Sequence, residues 1–299
     1  MPSGSPEREV VSVRAQLLAN EPAGAYRRLV LQAGEIARLA RPGHFVAAGV
    51  GGATSGLLLR RSFSIHRVDV EAGLVEIVVA AHGPGTVWLT ELAPGAHVDL
   101  VGPLGRPFPL PTEPVGCVLV GGGYGSAPLF WLAQALRERG CRVEIVLGAA
   151  DSPRLFGVEL AADSCEAVTV TTDDGSAGVR GWVSDVLPSV IERVGAGVVY
   201  ACGPMPMLRS VSELSERAGA VAQVAVEEAM ACGVGVCMTC VLPVVGRDER
   251  TRMVRSCVEG PVFRGDRVRW DAVVDGGCRV PDDAVGAPVP AGAAGAGGH

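Results

Sequence analysis

The sequence predicts a multi-domain fold with an antiparallel β domain, a parallel-sheet α/β domain and a small cysteine-rich C-terminal domain. Three observations predict it: short β-rich runs in the first third, alternating strand and helix patterns in the middle, and four cysteines close together near the end. The corresponding boundaries are 10–112, 113–225 and 226–275. Disordered tails are predicted at 1–9 and 276–299, because these segments lack the bulky apolar side chains that would offset their ordering entropy.

The charged residues narrow the possible functions. The 299 residues carry 26 basic side chains, all of them Arg, and 32 acidic ones, for a net charge of −6. A chain without Lys cannot contain a Walker-type phosphate loop, a Schiff-base lysine or a lysine general base. Its Arg residues are scattered rather than concentrated on one face, so we expect no nucleic-acid partner.

The first domain carries short β-rich runs separated by Gly and Pro turns, a pattern typical of an antiparallel barrel or sandwich. The runs are VVSVRAQLL, YRRLVLQ, HFVAAGV, RSFSIHRVDV and LVEIVVAA. The apolar segment VWLTEL, which follows a Gly-Pro-Gly-Thr turn at 83–86, is compatible with a helix.

The second domain alternates strand and helix patterns, which predicts a parallel sheet. CVLVGG, RVEIVLGA, AVTVTT and VVYACG are the predicted strands. PLFWLAQALRERG and MLRSVSELSERAG are predicted helices, and GWVSDVLPSVIERV is a helical stretch that we expect Pro188 to interrupt.

The uncharged stretch 114–136 is long enough to raise the question of a membrane span. Glycines and prolines divide it into a strand, a turn and a helix, so we expect no membrane partner. The N-terminal MPSGSPERE lacks the basic-then-apolar order of a signal peptide, which favours a cytoplasmic location.

Four of the nine cysteines follow a recognisable spacing, Cys232-x4-Cys237-x2-Cys240, with Cys257 after sixteen intervening residues. This is the plant-type [2Fe-2S] spacing, and the intervening glycines would let the backbone approach a cluster. A structural zinc site and a thioredoxin-like Cys-x-x-Cys pair are the alternatives. The other five are dispersed and interpreted as core residues: Cys117, Cys141, Cys165, Cys202 and Cys278.

Three further motifs are suited to phosphate groups. GGGYGSAP at 121–128 lies between a strand and a helix but does not match G-x-G-x-x-G. Arg61-Ser62-Phe63-Ser64 offers a guanidinium, and the Gly-Pro-Gly-Thr turn offers a second helix N-terminus. The structural alternatives are strand–helix packing, a surface salt bridge and a plain N-cap.

The order of these motifs, with Ala-Cys-Gly-Pro at 201–204 and the four-cysteine segment, resembles the ferredoxin reductase-type flavoproteins. Within them, the chain is most similar to the electron transfer subunits of NAD-dependent dihydroorotate dehydrogenases, over about 10–270. The resemblance implies that the β domain is a barrel. Ser62 stands where proline is frequent in that family, and Tyr124 where a small aliphatic residue is usual.

The resemblance implies roles for individual residues and no acid–base catalytic residue. FAD would contact Arg61, Phe63, Ser64, Gly83, Gly85 and Thr86. NAD would contact Gly122, Gly123, Gly125, Cys202, Gly203 and Pro204. The ligands of the [2Fe-2S] cluster would be Cys232, Cys237, Cys240 and Cys257. Asp173 and Asp174 either meet the NAD side or form a simple turn, and His66 and His82 are interpreted as ordinary polar positions.

The implied function is electron transfer between NAD(H), FAD and a [2Fe-2S] cluster, because a nicotinamide delivers two electrons as hydride and the cluster accepts them singly. The partner would be the FMN-containing catalytic subunit that forms orotate in pyrimidine biosynthesis, in a heterotetramer of two of each. Met230, Val234, Val236 and Met238 are predicted to contact it. The alternatives are a reductase for ferredoxin, a hydrogenase or a glutamate synthase-like enzyme, and a zinc-stapled binding module without enzyme activity.

Overall fold

The computed structural model describes residues 9–52, 55–274 and 277–286. Within them, six antiparallel strands close a barrel in the order β1-β2-β5-β4-β3-β6: β1 (Val11–Ala23), β2 (Tyr26–Gln32), β3 (Phe45–Ala48), β4 (Arg61–Asp69), β5 (Leu74–Val79) and β6 (His97–Leu104). Two helices accompany the barrel, α1 (Gly34–Leu39) and α2 (Pro84–Glu91). Alternate side chains point inward, so Ala15 and Leu17 are buried while their neighbours are exposed. The barrel implied for the first domain is confirmed.

The second domain is a parallel sheet in the order β10-β9-β8-β7-β11-β12. Its strands are β7 (Gly116–Gly122), β8 (Arg142–Ala149), β9 (Ala167–Thr172), β10 (Val179–Arg180), β11 (Ala196–Cys202) and β12 (Val221–Ala225). Helices α3 (Leu129–Glu138) and α4 (Val158–Ser164) cover one face, and α5 (Val183–Val194) and α6 (Met205–Arg217) cover the other. The connections reverse direction between β7 and β11, which opens a crevice at the carboxyl ends of these strands.

Helix α5 departs from the sequence prediction because Pro188 lies inside a continuous helix. The helix buries an apolar stripe against the sheet, formed by Val183, Leu187, Val190, Ile191 and Val194. This burial outweighs the backbone hydrogen bond that Pro188 cannot donate.

The cysteine-rich segment shares a sheet with the second domain. It forms an antiparallel pair, β13 (Val241–Val245) and β14 (Thr251–Arg255), and then β15 (Val262–Arg264), which pairs antiparallel with β12. The predicted boundary at 225/226 therefore cuts through a shared sheet, because Val224 pairs with Phe263. A short hairpin follows, β16 (Val273–Val274) with β17 (Gly277–Cys278).

The predicted C-terminal disorder from residue 276 is wrong for residues 277–286. Arg269 holds this segment through both oxygens of Asp283, at 2.8 and 3.0 Å, and the Val285 amide donates to the Thr251 carbonyl at 2.9 Å. Ala284 is buried beneath them. Composition could not indicate these specific pairings. The predicted tail residues 1–8, 276 and 287–299 lie outside the described residues.

Several hydrogen bonds join the barrel domain to the sheet domain. His66 Nδ1 lies 2.6 Å from the Ala127 carbonyl, and the Tyr26 hydroxyl donates to the Arg154 carbonyl at 2.9 Å. The Tyr200 hydroxyl donates to the Pro109 carbonyl at 2.8 Å. His66 is buried, and burial lowers its pKa, so it is a neutral contact between domains rather than an ordinary polar position.

Among the described residues, none of the helices is long and apolar enough to cross a membrane.

Asp283→Ala should loosen the C-terminal segment because it removes the bidentate contact to Arg269. We expect amide hydrogen exchange at Val285 to become about fivefold faster, corresponding to about 1 kcal/mol. Asp282→Ala is the matched control, since no hydrogen bond or ion pair ties that side chain within the described residues. Equal exchange rates in the two variants would show that Arg269 does not hold the segment.

Candidate functional site

The crevice between β7 and β11 opens into a cavity of about 640 Å³ that reaches across to the barrel. Gly122, Gly123 and Pro204 line it from the sheet, and Tyr26 and His82 line it from the barrel. The structure thus brings together part of the predicted NAD set and places His82, interpreted from sequence as an ordinary polar residue, at the same cavity. We call this space the nucleotide cavity.

The glycines of the loop after β7 permit close packing as well as access. A Cβ on Gly122 would lie 2.8 Å from both Met207 Sδ and Pro204 Cδ, and one on Gly125 would lie 2.8 Å from Gly203 Cα. The loops after β7 and β11 therefore touch through glycine backbone. Cys202 is buried directly below them, whereas Gly123 (φ +54°) faces the cavity.

Tyr124 connects the glycine loop to the barrel. Its ring centroid lies 5.5 Å from that of Tyr26 and 6.0 Å from that of His82. Burial, reinforced by the nearby Glu227 carboxylate, raises the pKa of Tyr124 to about 12, so the phenol stays protonated. The Tyr124 side chain, which is larger than the small aliphatic residue usual in the family, therefore occupies the side of the loop that faces the barrel.

The far end of the cavity presents Thr171, Asp173 and Trp182. Asp174 forms the predicted turn, because its carboxylate accepts hydrogen bonds from the amide and hydroxyl of Ser176. Asp173 instead faces the cavity, and the buried Thr171 hydroxyl has no partner among the described residues.

A second polar cradle lies at the start of α2, outside the nucleotide cavity. A Cβ on Gly85 would lie 3.2 and 3.3 Å from Arg61 Nε and Nη2, so the glycine lets the guanidinium approach the helix N-terminus. Thr86 Oγ1 accepts hydrogen bonds from the His82 and Gly83 amides at 2.9 and 3.1 Å. A guanidinium beside a helix N-terminus suits a phosphate group. Ser64 lies three residues along β4 and Phe63 packs against the barrel core.

The four clustered cysteines form two pairs. Cys232 contacts Cys237, and Cys240 contacts Cys257. Among the described residues, no group of three or more metal-binding side chains surrounds a single point. Two pairs fit a cluster of two irons, each held by two thiolates.

The loop backbone supports the sulfur atoms of both pairs. The Val236 and Cys237 amides donate to Cys232 Sγ at 3.3 and 3.5 Å, and the Cys257 amide donates to Cys240 Sγ at 3.4 Å. The Thr239 hydroxyl and amide lower the pKa of the exposed Cys237 to about 6, whereas burial raises that of Cys257 to about 12. Cys237 is therefore more readily ionised than Cys257.

The cysteine loop rests on the barrel. Cys240 and Cys257 share a buried cluster with Phe45, Ala47 and Leu104. Phe45 and Ala47 belong to β3, which pairs with the Arg61–Asp69 strand β4. One strand spacing, about 4.8 Å, thus separates β4 from the strand under the cysteines.

The outer side of the cysteine loop is apolar. Val234, Val236 and Met238 are 48%, 78% and 51% exposed and lie within five residues of one loop, so they form a group of exposed apolar side chains. Met230, expected on the same surface, instead packs against the cluster around Phe45. Met230 precedes Gly233 and Gly235 in the chain, and at this point the loop passes over the barrel.

Comparison with known proteins decides the family. Residues 227–269 match the iron-sulfur cluster binding domain of dihydroorotate dehydrogenase B. The electron transfer subunit of dihydroorotate dehydrogenase B (NAD(+)) from Geobacillus thermodenitrificans is 40% identical over 80% of this chain and 91% of that protein. The chain belongs to this family. The subunit of that name from Bacillus caldolyticus is 39% identical over 87% of this chain and 98% of its own length.

Solved structures agree with membership of this electron transfer subunit family. The structure described as the NADH-dependent reduced ferredoxin-NADP oxidoreductase, a flavin-based electron bifurcation enzyme, superposes with a TM-score of 0.75 at 30% identity, over 87% of this chain and 91% of that one. The ferredoxin reductase in carbazole 1,9a-dioxygenase shares the fold, with a TM-score of 0.59 at 21% identity over 71% and 67%. The predicted family, fold class and oxidoreductase function are confirmed. The residue assignments stay predictions.

Several cavity residues of the electron transfer subunit were missed from sequence, namely Tyr26, Thr171, Trp182 and Glu227. Trp182 is 66% exposed, which its position between Gly181 and a helix could have suggested. The others reach the cavity only through the packing of distant elements.

Gly235→Ala should reduce iron retention, because Gly235 has a φ of +84° and an added Cβ would lie 2.4 Å from Val258 Cγ2. The left-handed conformation alone costs a non-glycine residue about 1–2 kcal/mol. Iron and sulfide assays should show less cluster per chain than in Gly277→Ala, where an added Cβ meets nothing within 4 Å. Full iron content in Gly235→Ala would contradict this account of the loop.

Proposed function

We propose that this chain carries electrons between NAD(H), FAD and a [2Fe-2S] cluster, and onward to the FMN of a dihydroorotate-oxidising subunit. The contact of the cysteine loop with β3, the neighbour of β4, carries the proposal. It places the strand that carries Arg61 next to the strand under Cys240 and Cys257. When bound, the cofactors supply the hydride and single-electron chemistry.

FAD would lie against the barrel. Arg61, Gly85 and the N-terminus of α2 fit its pyrophosphate, because the guanidinium and the free helix amides converge there. Gly83 and Thr86 shape that helix start, and Ser64 lies on the same strand as Arg61. Phe63 would support the strand from the core, in addition to any contact with the flavin.

NAD would occupy the nucleotide cavity. Gly122, Gly123 and Gly125 leave room for a pyrophosphate, and Cys202, Gly203 and Pro204 close the end next to Tyr124. Asp173 favours NADH over NADPH, because its carboxylate would repel a 2′-phosphate at the opposite end. The sulfurs of Cys232, Cys237, Cys240 and Cys257 would hold the cluster.

A catalytic partner completes the reaction. Val234, Val236 and Met238 form an apolar surface beside the exposed Cys237, where water exclusion would favour electron transfer to a second protein. A heterotetramer of two of each subunit is part of the proposal. All nine cysteines are free, which is consistent with a reducing cytoplasm.

A second candidate is a reductase for another acceptor. The 30% identity to the NADH-dependent reduced ferredoxin-NADP oxidoreductase structure supports it. The higher identity to the dihydroorotate dehydrogenase B subunits favours the first proposal.

Arg61→Ala should weaken FAD binding because it removes a charge-assisted hydrogen bond to phosphate. We expect a loss of about 1.5–3 kcal/mol, or about 10- to 150-fold in Kd, measured by flavin fluorescence. Arg60→Ala is the control, since Arg60 donates to the Asp99 carbonyl at 2.7 Å. If flavin occupancy is unchanged in Arg61→Ala, Arg61 does not bind an FAD phosphate.

The isolated, cofactor-loaded chain should transfer electrons from NADH to an artificial dye and leave dihydroorotate untouched. Val234→Glu and Met238→Glu should lower electron transfer to the catalytic subunit without changing dye reduction, because they charge the apolar surface. Val179→Glu, at a 49% exposed position on β10, is the control. Dihydroorotate oxidation by the isolated chain would refute the proposed division of labour.

A further inference from the structure

A second cavity adjoins the nucleotide cavity, and Glu227 lines both. The second cavity, of about 360 Å³, lies between the start of α6 and the β16–β17 hairpin, where Glu228 and Trp270 also line it. We call it the rear cavity. Pro206 and Glu227 are common to the two cavities, so the carboxylate stands at the partition between them.

Electron transfer through this chain requires a route for protons. Oxidation of NADH follows NADH → NAD⁺ + H⁺ + 2e⁻, and an iron–sulfur cluster that accepts the electrons leaves the proton behind. One proton must therefore leave the site for each NADH oxidised, or enter it when NAD⁺ is reduced. A nucleotide bound in the nucleotide cavity would block direct proton exchange between that cavity and solvent.

The surroundings of Glu227 suit a group that gains and loses a proton. Tyr124 lines the nucleotide cavity together with Glu227, and Cys202 is buried nearby; both are neutral because burial raises their pKa values. On the rear side, Arg209 donates to Glu213 at 2.9 Å, so its charge is already balanced, and Glu228 is a second carboxylate.

No hydrogen bond or ion pair to the Glu227 side chain is found among the described residues. Its side chain is exposed to the cavities, yet the protein packed around it raises its pKa by desolvation. A carboxyl group in this setting binds a proton more readily than an ordinary Glu.

We infer that Glu227 is a proton port, which takes the proton released on NADH oxidation from the nucleotide cavity and passes it to water in the rear cavity. This inference rests on the proposed function. In the forward direction, NADH would give its hydride to the flavin when that cofactor is bound. Once two one-electron acceptors have taken both electrons, one proton remains, and a Glu227 carboxylate oxygen accepts it. The Glu227 carboxyl group then gives that proton to water and returns to the carboxylate. The same atoms work in reverse when NAD⁺ is reduced.

Stopped-flow mixing of the full cofactor-loaded chain with NADH tests the inference. Ferricyanide serves as the one-electron acceptor, excess NADH keeps the nucleotide cavity filled, and phenol red in weak buffer reports proton release. In Glu227→Gln, flavin bleaching should stay within about twofold of wild type while proton release slows on the order of 10²-fold. Added formate, a small acid that can replace the carboxyl group, should restore the rate.

Two further variants complete the design. Glu228→Gln removes a carboxylate that lines only the rear cavity and should release protons as wild type does. Glu227→Asp keeps a carboxyl group and should release protons faster than Glu227→Gln. Wild-type proton release in Glu227→Gln, or slow release that formate does not restore, would overturn the inference alone. A wild-type chain that NADH does not bleach would overturn the proposed function itself.

Discussion

The short strand β3 is the element on which the site depends. Its backbone pairs with β4 on one side and β6 on the other, while the side chains of Phe45 and Ala47 pack under the cysteine loop. A strand in this position has its hydrogen bonds satisfied on both edges, so it holds the cysteines at a constant distance from Arg61. Electron transfer benefits from such rigidity, because no domain motion is needed to bring donor and acceptor sites together.

The nucleotide cavity depends on a complementary constraint, the close approach of two loops at the point where the sheet reverses direction. Glycine backbone fills the contact between Gly125 and Gly203, which leaves Gly123 and Pro204 free to face the cavity. Tyr124 and His66 join this loop region to the barrel through ring packing and a carbonyl contact. The same residues thus shape the cavity and orient the two domains.

The sequence allowed the architecture and the presence of an iron–sulfur binding segment to be predicted because both depend on local pattern. Strand alternation, glycine turns and the Cys-x4-Cys-x2-Cys spacing are all readable within a few dozen residues. Contacts between elements that are distant in the chain could not be predicted from the sequence. Glu227 meets Tyr124 only because the chain returns past β7 after β12, and Met230 turns inward because the barrel lies beside it. The continuous helix through Pro188 likewise reflects tertiary burial overriding a local signal.

Strand β15 has a consequence for the behaviour of the chain when iron is scarce. It covers the outer edge of β12, which would otherwise present unpaired backbone groups beside buried side chains such as Val224. The segment that supplies β15 also carries the four cysteines. A chain whose cysteine segment comes loose therefore exposes a sheet edge that can pair with another molecule, and self-association becomes the competing fate. Iron supply would then govern the solubility of this subunit as well as its colour.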